Sequence, residues 1–277
     1  VSGVHQVLAG AASRDAITIH ALAARDVIRA SGLRSEVFCE ADHIDPALGG
    51  EVLPHTTWER RTEPGDRAIL HYSIASPVFW WVADRVDGLA IHYHNITPAR
   101  LLWEFAPRIA LECAEGRRRL GELAGRVRWA AADSSFNAAE LAELGFPPAE
   151  VVGVMRRASL PDPAPVERGE RVRLLFVGRG VPSKAQHDLV MTLAALREAG
   201  VDAELRLVGS WDGIEGYRDH CEALAEALGV AHALVVTGSV DDQRLADEYA
   251  GADVFLCLSD HEGYCVPIVE AMEHDLP

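Results

Sequence analysis

Strand-length apolar runs alternate with amphipathic helical stretches along this chain, once through its first half and again through its second. That rhythm builds parallel sheets covered by helices. A parallel neighbour needs a long crossover, and the crossover must bury an apolar face of its own. In the first half the expected strands are VHQVLA, SEVFCE, RAILHY, GLAIHYH, VRWAAAD and AEVVGVM. Helices are expected from Asp15 to Ala30, Pro77 to Val86 and Pro107 to Ala124. Another starts near Asn137, where Asn137 and Glu140 have capping-box spacing. The rhythm then stops at LPDPAPVERGER, a proline-rich, charged and aperiodic stretch that reads as a linker.

The second half restarts with the strand VRLLFVG and a helix from Lys184 to Ala199, stopped by Gly200. AELRLVG, ALVVTG and DVFLCLS are further strands, with helices from Tyr217 to Leu228 and from Asp241 to Ala250. The expectation is an α/β protein of two Rossmann-like domains, 1–162 and 163–277. In such sheets ligands bind beyond the carboxyl ends of the strands.

Composition narrows the function. A net charge of -16 argues against a general nucleic-acid binder, which needs a basic face. No apolar run approaches a membrane span, and Val1 opens no charged-then-apolar leader. The 5 cysteines (Cys39, Cys113, Cys221, Cys257, Cys265) are scattered without a C-x-x-C pair, which fits reduced core thiols and a cytoplasmic location. No strand is followed by G-x-G-x-x-G, so a dinucleotide-dependent dehydrogenase is not expected.

The unusual residues stand at strand ends. After DVFLCLS comes SDHEGYCVPIVEAME, with Glu262 and Glu270 either side of Gly263 and Pro267. Pro267 suits a first helical turn, because its missing N–H would be unpaired there anyway. The amides of Gly263, Tyr264 and Cys265 would then face an anion. Glu270 could accept hydrogen bonds from vicinal hydroxyls, and Glu262 would lie close to whatever the anion carries. VRLLFVG ends in GRGVPSK, so Arg179 and Lys184 occupy the loop after another strand, with Gly178 and Gly180 letting that backbone bend towards a ligand. Arg forks onto two phosphate oxygens and Lys supplies a compact charge, a fit for a diphosphate.

Taken together, FVGRGVPSK, TGSV followed by a helix, and EGYCVPIVEAM resemble family 4 of the retaining, GT-B fold glycosyltransferases, whose glutamate pair forms an E-x7-E element. HYSIASP and YHNITP look like signatures of the same family, so the resemblance covers nearly the whole chain. It implies two parallel sheets facing a cleft, with Arg179 and Lys184 on the donor diphosphate. It also implies that Glu262 contacts the transferred sugar and Glu270 the ribose, with Val240 bordering the base. In the first domain the turn from Gly10 to Asp15 would approach the diphosphate, and His94 would contact the sugar or acceptor, with His71 a weaker choice. The implied reaction moves a sugar from a UDP- or GDP-sugar to a glycan, lipid-linked or small-molecule acceptor. The alternatives are a GT-B sugar phosphorylase or synthase, or a non-catalytic nucleotide-sugar-binding module. Family members continue past the helix after E-x7-E, so the second domain is expected to be incomplete at Pro277.

No cofactor beyond the donor is expected. The D-x-D pair that holds a metal-bound nucleotide is absent, which fits neutralisation by Arg179, Lys184 and helix dipoles. His92 and His94 share one face of a strand, but no third ligand is evident nearby, so metal is not expected there either. Arg108, Arg117, Arg118, Arg119, Arg126 and Arg128 form a basic stripe that would suit weak contact with the inner face of a membrane. Interleaved Glu104, Glu112, Glu115 and Glu122 favour an ordinary solvated helix face instead.

Overall fold

A computed structural model describes residues 3–165 and 169–277. Residues 166–168 of the expected linker lie outside the described residues. The chain forms two compact units, one of residues 1–96 with 111–158 and one of residues 97–110 with 159–277. A single boundary between 162 and 163 therefore differs from what the structure shows. Residues 97–110 go with the second unit, where the Phe105 ring meets Tyr217 edge-on at 5.1 Å and His220 at 5.4 Å.

The first unit holds β1 (Val4–Leu8), α1 (Ala16–Ala30), β2 (Val37–Cys39), β3 (Val52–Pro54), α2 (Trp58–Arg61), β4 (Arg67–Tyr72), α3 (Pro77–Ala83) and β5 (Leu89–Tyr93). It continues through α4 (Pro107–Leu120), inside which the unit boundary falls, then β6 (Val127–Ala132), α5 (Ser135–Glu143) and β7 (Ala149–Val151). Its strands are all parallel, in the order β3-β2-β1-β4-β5-β6-β7. From β1 the chain winds outward through β2 and β3, then returns to the other side of β1 at β4. That reversal leaves a crevice between the carboxyl ends of β1 and β4, where doubly wound sheets take ligands.

The second unit holds β8 (Val172–Val177), α6 (Gln186–Glu198), β9 (Ala203–Val208), α7 (Tyr217–Ala227), β10 (Leu234–Gly238), α8 (Asp242–Gly251), β11 (Val254–Phe255) and α9 (Val266–Glu273). Its sheet is also parallel, ordered β10-β9-β8-β11, so its reversal falls between β8 and β11. Successive residues of β8 serve opposite cores. Leu174 and Phe176 pack with Leu189, Leu193 and Leu205, while Leu175 packs with Val208, Tyr249 and Ala271. A strand covered on both faces has to be a continuous apolar run, which is why VRLLFV reads as it does.

Several local expectations change. Strand β3 and helix α2 were not foreseen, because three- and four-residue elements carry too little periodicity to read. AEVVGVM pairs only as far as Val151, and DVFLCLS only over Val254–Phe255. Helix α5 is capped by Ser134, whose Oγ accepts from the Asn137 N–H at 3.2 Å, and not by a box at Asn137. Asn137 is itself buried and accepts from Asn95 Nδ2 at 2.9 Å.

Among the described residues no helix is long and apolar enough to cross a membrane. Within the basic stripe, Arg117 pairs with Glu140, Arg118 with Glu115, Arg119 with Glu122 and Arg126 with Asp84. Local carboxylates thus neutralise much of the charge expected to attract anionic lipid.

Candidate functional site

The loops after β8 and β11 flank the reversal of the second sheet. After β8 the chain runs through Gly178, Arg179 and Gly180 into a 3-10 turn, Pro182–Lys184, and Ala185 enters the left-handed region at φ 51° before α6 begins. Gln186 Nε2 donates to the Arg179 carbonyl at 2.7 Å and fixes this loop. From the other loop the His261 N–H donates to the Ser183 carbonyl at 3.2 Å. Lys184 Nζ forms an ion pair with Glu262 Oε2. A cation and a carboxylate 78 residues apart are therefore in contact at the carboxyl edge of the sheet. Arg179 is exposed beside them, and among the described residues its guanidinium has no ion-pair partner.

Helix α9 begins one residue after Cys265, which stands at φ 64° and supplies no side-chain cap. Pro267 lies in the first turn, as its missing donor requires. Glu270, one turn further, accepts from the Tyr249 hydroxyl at 2.8 Å, so α8 orients this carboxylate. Cys265 Sγ lies 3.9 Å from Cys257 Sγ, just past the end of β11. A thiol hydrogen bond from Cys265, helped by Ser259, outweighs burial and holds the Cys257 thiol down to about 6, while the Cys265 thiol is pushed up.

The glycines have a different cause from the one expected. A Cβ on Gly180 would lie 2.2 Å from the Trp211 ring, and one on Gly178 would lie 3.0 Å from the Phe176 ring. At Gly209, with φ 141°, a Cβ would lie 2.1 Å from the Gly178 carbonyl. These residues are glycine because strand ends and an indole crowd together, whatever ligand comes near. Val240 likewise packs towards the core of Leu175, Val208 and Tyr249.

In the first unit, Gly10 is exposed with open space around it. Asp15 caps α1, its Oδ2 accepting from the Thr18 N–H at 2.9 Å and from the Thr18 hydroxyl at 3.0 Å. Its carboxylate is thus engaged at the N-terminus of α1, at the end of the turn that follows β1. His94 is buried and both its ring nitrogens are engaged. Nδ1 bonds Asp133 Oδ2 at 2.9 Å, and Nε2 lies 3.0 Å from His71 Nδ1. Nor do His92 and His94 lack neighbours. The register pairs His71 with His92 across β4 and β5, and α1 adds His20, so four buried histidines have ligand-capable nitrogens within 4.8 Å of one another.

Residues 162–277 match the family model for glycosyl transferases group 1. A GDP-mannose-dependent alpha-mannosyltransferase of Mycobacterium tuberculosis (strain CDC 1551 / Oshkosh) is 34% identical over 132 residues, 48% of this chain and 29% of that protein. The chain therefore spans less than a third of that relative. Among solved structures, sucrose-phosphate synthase from Thermosynechococcus elongatus superposes with a TM-score of 0.71 at 15% identity, over 99% of this chain and 80% of that one. Anabaena Alr3699/HepE, solved in complex with UDP and glucose, gives a TM-score of 0.64 at 17% identity, over 100% and 80%. The fold is that of the GT-B glycosyltransferases.

Within residues 162–277 the structure brings together Lys184 and Glu262, with Arg179, Gly263, Tyr264 and Cys265 on the same two loops. Tyr249 and Trp211, which orient Glu270 and pack under the Arg179 loop, were missed. Both sit in stretches whose sequence looks like ordinary helix and turn.

Proposed function

We propose that this chain acts in a retaining glycosyltransferase that moves a sugar from a UDP- or GDP-sugar to a glycan, lipid-linked or small-molecule acceptor. The observation that carries the reading is the meeting of Lys184 and Glu262 at the reversal of the second sheet, beside the free guanidinium of Arg179. The family match over residues 162–277 and the identity to a mannosyltransferase support it.

In this reading Arg179 and Lys184 hold the diphosphate, with the amides around Gly263 to Cys265 adding donors. The leaving diphosphate gains charge as the glycosidic bond breaks. Fixed cations and amides therefore stabilise the transition state more than the bound donor. Glu262 lies next to Lys184, the cation assigned to the diphosphate, and so beside the transferred sugar. Glu270, oriented by Tyr249, takes the ribose hydroxyls. The diphosphate is neutralised by these side chains without a divalent ion. His94, held by Asp133, faces the sugar or acceptor from the first unit. Gly10, whose surroundings are open, remains available to a phosphate, and Val240 supports the base from the core side.

The test is calorimetry of UDP, GDP and ADP binding, with donor turnover measured in parallel. The Arg179→Ala/Lys184→Ala double variant should lose nucleotide-diphosphate binding by at least roughly a hundredfold, since two charge-assisted contacts go at once. Unchanged affinity in a folded double variant would remove the clamp. Tight binding with no turnover of any sugar nucleotide would favour the non-catalytic module instead.

A further inference from the structure

We propose that His71, His92 and His94 form a buried site for a zinc-class transition metal at the carboxyl ends of β4 and β5. Proton bookkeeping carries the argument. The Asp133 carboxylate can only accept, and it lies 2.9 Å from His92 Nε2 and 2.9 Å from His94 Nδ1. Those two nitrogens therefore carry protons. His71 Nε2 lies 2.9 Å from Gln6 Oε1, another acceptor, so it carries a proton as well. With those protons on the outward nitrogens, the lone pairs of the rings lie on His71 Nδ1, His92 Nδ1 and His94 Nε2.

Two of those lone pairs, on His71 Nδ1 and His94 Nε2, face each other at 3.0 Å with no hydrogen between them. An electrophile between them turns that repulsion into two bonds. Tetrahedral zinc with Zn–N distances of about 2.0–2.1 Å sets its ligand nitrogens roughly 3.3 Å apart, close to this spacing. The outward nitrogens already have the partners that histidine ligands use, a carboxylate on two of them and an amide oxygen on the third.

His20 is different. The Met155 N–H donates to its Nδ1 at 2.9 Å, so a neutral His20 carries its proton on Nε2. That Nε2–H lies 3.1 Å from His92 Nδ1 and satisfies it in the metal-free state. A metal replaces this one bond, and His20 is a neighbour of the site and not a ligand. Three histidines, not four, should bind.

The competing arrangement rotates the Gln6 amide so that it donates to His71 Nε2, and makes the cluster a metal-free relay. Metal uptake separates the two. The chain should be purified without a histidine tag, stripped with a chelator under mild denaturant, refolded, and titrated with Co²⁺ and Zn²⁺. We expect one equivalent of metal and the visible absorption of tetrahedral cobalt. His71→Ala, His92→Ala and His94→Ala should each abolish it, and His20→Ala should keep full stoichiometry. Asp133→Asn should weaken affinity by about 10–100-fold. No uptake by the refolded wild type, or retention by folded His92→Ala, overturns the proposal. Where the alanine variants do not fold, zinc-edge X-ray absorption of the wild type decides. A shell of nitrogen ligands including three imidazoles supports the site. Sulfur ligation, which would place the metal on Cys257 and Cys265, overturns it.

Discussion

The two sheets reverse direction in the same way, but they fill the resulting crevices differently. Beside the reversal between β1 and β4, histidines from α1 and from the ends of β4 and β5 are buried with Asp133, which is only 3% exposed. At the reversal between β8 and β11, Lys184 and Glu262 are 21% and 25% exposed in their side chains, and Arg179 faces solvent. Charge buried with all its partners fixes a structure. Charge left partly solvated and incompletely paired is available to a ligand. The same topology therefore supplies an anchor in one unit and a receptor in the other.

The sharpest way to break this contrast is to neutralise one carboxylate in each unit at constant shape. Burial alone would raise the Asp133 pKa, but hydrogen bonds from His92 and His94 outweigh it and hold the group at about 2. Asp133→Asn should cost about 3 kcal/mol, because an amide accepts through one oxygen only and leaves one of the two buried N–H donors without its charged acceptor. Glu262→Gln, in a partly exposed pair, should cost less than about 1 kcal/mol. Urea unfolding followed by far-UV circular dichroism reads both. Equal costs would mean that the two crevices do not differ in kind.

A smaller effect separates the two glutamates of the second unit. Glu270 is held by Tyr249 and is assigned to the ribose, so Glu270→Ala should weaken binding of a bare nucleoside diphosphate by roughly tenfold or more, the loss of a hydrogen bond to a charged group. Glu262→Ala should change that affinity by no more than about twofold in either direction, because its cost in structure is that of one surface pair. Its effect should instead fall on donor turnover. Calorimetry with nucleotide alone, set beside turnover of the sugar nucleotide, distinguishes them. Parallel losses in both assays for both variants would end the division of labour.

The sequence makes the second crevice easier to read than the first. Arg179, Lys184, Glu262 and Glu270 are polar residues directly after apolar runs, a local signal that needs no knowledge of register. The histidine cluster is a matter of register. His71 meets His92 only because β4 pairs with β5 in one alignment, and His20 arrives from a helix 51 residues earlier than His71. Asp15 and Gly180 also have structural roles that position after a strand does not reveal. Each is a residue type that suits a ligand, but one caps α1 and the other makes room for Trp211. The order of strands and helices was legible because a six-residue strand such as β8 alternates between two cores. The short elements β3 and α2 have no such repetition to betray them.

The smallest expected effect compares a thiol in each unit. Cys39 lies buried at the end of β2, and burial pushes its thiol up to about 12. Cys257 lies partly exposed past β11. The hydrogen bond from Cys265 and those from Ser259 exceed the cost of burial and lower it to about 6. The sign is that of an acid with a depressed pKa. Its thiolate is present above pH 6 and is lost as pH falls through that value. The thiolate is the nucleophile, so the rate of iodoacetamide labelling at Cys257 should reach half its plateau near pH 6. Cys265→Ala removes the main donor and should move that midpoint up towards about 8.5, the ordinary thiol value. Cys39 should stay unlabelled at neutral pH in both proteins. Peptide mapping of the alkylated chain by mass spectrometry reads all three quantities together. A Cys257 midpoint unchanged by Cys265→Ala would show that the two thiols do not share a proton. The turn around Glu262 would then be less tightly organised than the 3.9 Å sulfur contact indicates.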